Sequence, residues 1–185
     1  MQMPATGSRE RKAKALAITA YHEAGHAVAA RFFRLPVKLV SIVPGEGFAG
    51  FVQFGDTRGR NAAAGLLNGA SFDGLTRVLK ELIVLLAGME AQRRYSPQSC
   101  RKIHASSDYA KVADYSLSFC AGDEQEANFF LRWLCKRAEN LVTGILWADI
   151  HSLADELVVR REMTGREVSA FLKARTNFRA DAADW

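Results

Sequence analysis

Apolar residues set the first expectation for this chain. Between Ser71 and about Tyr95, Leu75, Val78, Leu79, Leu82, Ile83, Leu86 and Met89 recur three and four positions apart, the period of a helix with one face in a core. Phe130, Leu131, Leu134, Leu141 and Val142 mark a second such helix from Asp123 to about Thr143. Ile150, Leu153 and Leu157 mark another from Ile145 to about Met163, and Gly144 is placed to kink or separate the two. From Ser8 to about Arg34 there is no proline and much alanine, so a long helix is predicted, with Ser8 as its cap and Pro36 as its stop. Ser106 and Ser107 open a further helix with Asp108 in its first turn. Thr164-Gly165-Arg166-Glu167 has the form of a capping box before a short helix through Leu172. One stretch reads otherwise: Val37 to Val43 is β-branched and apolar, Pro44-Gly45-Glu46-Gly47 turns the chain, and Phe48 to Phe54 is extended again. Helix, hairpin, then helices predicts a mainly α (α+β) domain with one small sheet.

Composition narrows this. With 185 residues, 49% of them hydrophobic, the chain suits a single domain over residues 9–173, with residues 1–8 and 174–185 as flexible ends. Gly55 to Ala70 carries four glycines and reads as a mobile loop, either a lid or a plain connector. The longest apolar run, Leu82 to Gly88, is far short of the ~20 residues that span a bilayer, and Met1 to Ser8 lacks the layout of a secretory signal. Cys100, Cys120 and Cys135 form no C-x-x-C pair and read as free thiols of a reducing compartment. A soluble cytoplasmic protein is expected, with no membrane span. The net charge of +5 is spread over many short basic clusters, and without a nucleic-acid-binding module beside them nucleic acid is not expected as a main partner.

The candidate chemistry lies in the first helix. His22-Glu23-Ala24-Gly25-His26 matches H-E-x-x-H. Residues four apart share a helical face, so His22 and His26 can bind one zinc ion while Glu23, one position round, reaches water beside it. The small residues Ala24 and Gly25 let another backbone approach that face closely. A zinc hydrolase takes three protein ligands and leaves a fourth position open, and the spacing leaves the third undecided. His104 and Asp108 sit together at a loop-to-helix junction, whereas His151 falls in a helix whose pattern looks structural. The hairpin after the zinc helix is either a packing element or, through Phe48, Ala49, Gly50, Phe51 and Val52, an edge strand that binds an extended peptide.

Ala20 to Ala27 resembles the zinc helix of the FtsH-type membrane-bound metalloproteases. Val40-Ser41-Ile42-Val43-Pro44 with Gly50-Phe51-Val52 is similar to their following strand pair. Leu85 to Gln92, Ala105 to Ala113 and Ile150 to Val168 resemble, in order, their glycine-containing helix, the segment with their aspartate ligand, and their closing helices. The resemblance spans about Leu16 to Leu172 and implies Asp108 as the third zinc ligand, with His104 as rival or supporting group. Met89 and Gln92 stand where that family has arginine and glutamate, which weakens the implied ring-forming homo-oligomer. The phosphate loop G-x-x-x-x-G-K-[ST] and the membrane anchor of those proteases are absent from this sequence.

The expected function is therefore a zinc endopeptidase acting on flexible or unfolded polypeptide. A separate ATPase or adaptor would be needed for folded substrates. The alternative is a catalytically quiet, zinc-containing protein-interaction module, and hydrolysis of a non-peptide bond is a third reading.

Overall fold

A computed structural model describes residues 6–55, 72–100 and 107–175. Six α-helices and one three-stranded antiparallel sheet are found among them, in accord with the expected mainly helical fold. The helices are α1 (Thr6–Phe32), α2 (Phe72–Tyr95), α3 (Ser107–Phe119), α4 (Glu124–Thr143), α5 (Trp147–Arg160) and α6 (Gly165–Arg175). The strands are β1 (Val37–Ser41), β2 (Phe51–Phe54) and β3 (Glu162–Thr164). The stretch from Asp56 to Ser71, His104, and both chain ends assigned as flexible lie outside the described residues, apart from the few end residues that α1 and α6 include.

Helix α1 is the axis of the fold, packing on α2 and on α5, while α4 covers α2 and α3 covers α4. Its central residues explain this. Ala20, Ala24, Ala27, Ala29 and Ala30 are fully buried, and side chains of that size let neighbouring helices close in. Gly25 takes this furthest: a Cβ there would lie 2.6 Å from the Ala87 carbonyl oxygen and 2.9 Å from the Gly88 Cα. Residue 25 is thus the point where α1 and α2 touch backbone to backbone, which offsets the ~1 kcal/mol that glycine costs inside a helix. Around this contact, Leu86, Leu134, Leu141, Ile150, Leu153 and Leu157 are fully buried, each contributing about 1.5–3 kcal/mol of transfer free energy.

The helix ends follow local chemistry. Asp123 caps α4 by accepting from the Glu126 amide at 2.9 Å. Thr164 and Glu167 form the reciprocal capping box at α6, the Thr164 amide donating to the Glu167 carboxylate at 2.8 Å and the Glu167 amide to the Thr164 hydroxyl at 3.3 Å. Helix α1 begins at Thr6 and ends at Phe32, so Ser8 lies inside it rather than capping it. Arg34 then adopts φ 59°, and the Leu35 amide reaches back to the Ala30 carbonyl at 2.8 Å, the six-residue closure of a Schellman-type end.

The helix expected from Ile145 to about Met163 is corrected at both ends. It runs from Trp147 to Arg160, and Arg161, at φ 71°, turns the chain out of it. The next residues form β3, which pairs with β1 (Val40 opposite Met163), so the hairpin becomes a three-stranded sheet in the order β2-β1-β3. Strand β1 is central, and β2 is an edge with one partner among the described residues. Among the described residues no helix is long and apolar enough to cross a membrane.

Candidate metal centre

His22 and His26 stand one turn apart on α1, facing α2 and the start of α3. Asp108, in the first turn of α3, comes to meet them. Their ligating atoms form a small triangle: His22 Nε2 to His26 Nε2 is 3.0 Å, His26 Nε2 to Asp108 Oδ2 is 3.3 Å, and His22 Nε2 to Asp108 Oδ2 is 3.5 Å. Among the described residues these three are the group of histidine, cysteine and acidic side chains close enough to share an ion. Ligands ~2.0–2.1 Å from a tetrahedral zinc ion lie about 3.3 Å from one another, and the three sides of the triangle bracket that value.

The hydrogen bonds around the triangle point the same way. His26 Nδ1 lies 2.8 Å from the Val84 carbonyl oxygen. A carbonyl only accepts, so Nδ1 carries the proton and Nε2 presents its lone pair. That lone pair faces a carboxylate oxygen 3.3 Å away. Two acceptors at such a distance repel each other unless a proton or a metal ion lies between them, and the donor set, two imidazoles and one carboxylate, suits zinc. These residues therefore fit a zinc ion.

Each ligand is held from behind. Lys111 lies 3.4 Å from the outer oxygen of Asp108, turning the other oxygen inward. His22 Nδ1 meets the Gln92 side chain at 3.0 Å. Gly88 makes room for the His26 ring, since a Cβ at residue 88 would stand 2.3 Å from its Nε2. Burial pushes the Asp108 carboxyl up, but when protons rather than a metal ion lie between it and the imidazoles, the hydrogen bonds and charges of His22 and His26 outweigh burial and hold the group well below the usual carboxylate range.

Glu23 is 5% exposed. Its carboxyl is pushed up to about 7, chiefly by burial; the His22 charge pulls it down and the Asp108 charge adds to the rise. It borders a cleft of about 720 Å³ whose walls include His22, His26, Asp108, Lys111, Thr19 and Phe54. Gly50 lets the opposite wall come near, a Cβ there reaching within 3.0 Å of the Glu23 Cγ.

The five residues expected to form a substrate strand all line this cleft, but only Phe51 and Val52 belong to β2. Phe48, Ala49 and Gly50 precede it, with Phe48 in an isolated bridge to Gly45. Glycine at 47, with φ 82°, helps hold this segment as a turn.

His151, read as structural, stands apart from the triangle: its Nδ1 meets the Tyr21 hydroxyl at 2.7 Å, and its ring stacks on Tyr21. Gln92 stood out in the sequence only as a departure from the resembled family, and its place beside His22, like those of Gly88 and the Val84 carbonyl, was not foreseen. These three residues recur every four positions along α2, a periodicity that marks its face toward α1. No protein-family model matches the chain, and no curated protein matches it.

Proposed function

We propose that this chain is a zinc-dependent endopeptidase that hydrolyses flexible or unfolded polypeptide, built as the peptidase domain of the FtsH-type metalloproteases is built. The observation that carries the reading is the triangle of His22, His26 and Asp108 with the buried Glu23 carboxylate beside it, at the floor of an open cleft. The sequence resemblance to that family supports the same ligand set.

His22, His26 and Asp108 would hold the ion, which when bound supplies Lewis acidity, making a water acidic enough to ionise near neutral pH and polarising a carbonyl. The remaining work falls to the protein. Glu23 takes a proton from the attacking water as its oxygen bonds to the scissile carbon, and returns a proton to the amide nitrogen as the C–N bond breaks. Burial pushes this carboxyl up, and the charge of a bound ion would draw it back toward the ordinary carboxylate range, leaving it ionised and able to accept a proton at neutral pH. The side of β2 that has no partner among the described residues offers an extended peptide the backbone groups of a further strand, a mode that reads main chain more than side chains and suits unfolded substrates.

Incubating the purified protein with an unfolded protein such as casein tests this. Cleavage is expected, abolished by a chelator, restored by zinc and absent in Glu23→Gln. Cleavage that persists in the chelator would refute the zinc mechanism, and a metal-loaded protein that never cleaves would favour the interaction-module reading.

A further inference from the structure

The His26 tautomer is fixed by a backbone carbonyl, but His22 depends on a side chain that can face it in two ways. A primary amide offers either an acceptor oxygen or a donor NH2. In the first orientation it accepts a proton from His22 Nδ1 and leaves Nε2 free for a metal. In the second it donates to Nδ1, forces the proton onto Nε2 and closes that position.

Surrounding contacts choose between them. The Gln92 Nε2 lies 3.1 Å from the Ser99 hydroxyl oxygen, and that hydroxyl is 2.7 Å from the Ser96 carbonyl oxygen. The carbonyl can only accept, so the Ser99 proton is committed to it, and the Ser99 oxygen is left to accept. Only the NH2 end of Gln92 can then face Ser99, which turns Oε1 to His22 Nδ1, 3.0 Å away. The direction of donation is thus set along the whole path, from His22 through Gln92 and Ser99 to the Ser96 carbonyl.

We infer that Gln92, with its amide oriented by Ser99, is a positioning residue that holds His22 in the tautomer able to bind metal. The inference rests on the metal reading above but does not share all of its tests. Gln92 is half-buried on α2 and Ser99 is exposed in the short 3-10 turn Pro97–Cys100, so Ser99→Ala perturbs the path without touching the core. Because Gln92 is neutral, it orients His22 without adding the second negative charge that a carboxylate would place behind the triangle.

Two measurements test it. Nitrogen-15 NMR of the metal-free protein at alkaline pH reports which ring nitrogen of His22 carries the proton. Competition against a chromophoric chelator reports zinc affinity. In the wild type the proton is expected on Nδ1. Gln92→Ala should shift it partly to Nε2 and weaken zinc binding by about 10–100-fold, the usual range for removing the outer partner of a metal-binding histidine. Ser99→Ala should move both readouts the same way by less, and Gln92→Glu, which restores an acceptor, should restore both. An unchanged tautomer and unchanged affinity in Gln92→Ala and Ser99→Ala would overturn the inference. A wild type that binds no zinc would refute the metal reading instead, and the NMR result would still decide the role of Gln92.

Discussion

Glu23→Gln separates catalysis from metal binding and also carries a stability signature that follows from the burial of the carboxylate. Folding raises this carboxyl from its ordinary 4.5 to about 7, so between those values the native protein holds a proton that the unfolded chain has released. Stability contributed by this group is therefore full below about pH 4.5, falls as pH rises through the window, and stays lost above pH 7. At 1.36 kcal/mol per pH unit, the loss amounts to roughly 3 kcal/mol in the metal-free protein. Glutamine keeps the shape and removes the titration. A buried amide brings a solvation cost of its own, about 1–3 kcal/mol if unpaired, but that cost does not vary with pH and leaves the slope untouched. Urea unfolding of metal-free wild type and Glu23→Gln at pH 5 and pH 8 measures the difference. The variant should gain about 2.5 kcal/mol on the wild type between the two pH values, while binding zinc and cleaving nothing. Parallel pH dependence in the two proteins would refute the burial argument, and residual cleavage by the variant would remove Glu23 from its catalytic role.

Three further outcomes follow from the geometry. Asp108→Ala removes one corner of the triangle and should abolish tight zinc binding, measured by chelator competition; undiminished binding would move the ligand role to His104 or elsewhere. Gly88→Ala improves helix propensity by ~1 kcal/mol yet puts a methyl group 2.3 Å from the His26 ring, so zinc affinity should fall sharply with helical circular dichroism preserved. Leu134→Ala, at a fully buried position that does not line the cleft, should cost about 2–5 kcal/mol in urea unfolding without altering the cleft chemistry.

The parts of this site that one helix carries were legible in the sequence. His22, Glu23 and His26 lie within five residues, and their helical spacing alone puts the two imidazoles side by side. Asp108 was not legible in that way, because it arrives on α3 and spacing carries no information across such a separation; only resemblance to a known family distinguished it from His104. The long helices were readable from their apolar period, and Gly25 from its place among small residues. Strand β3 was not. Three residues are too few for a period of two to show, and Arg161 turns the chain at positive φ with no glycine to announce it. Gln92 illustrates a different limit. Its chemistry depends on which end of an amide faces a ring, and that is decided by Ser99 and a backbone carbonyl, groups that no sequence pattern connects to His22.

The central claim, that His22, His26 and Asp108 together hold a zinc ion, is tested most directly by crystallising the zinc-loaded protein and recording anomalous diffraction on both sides of the zinc absorption edge. The account predicts one strong peak about 2.0–2.1 Å from Nε2 of each histidine and about 2.0–2.2 Å from an Asp108 carboxylate oxygen, with its fourth position open to the cleft beside Glu23. A peak bound through His104 in place of Asp108, or no peak between His22 and His26, would contradict it.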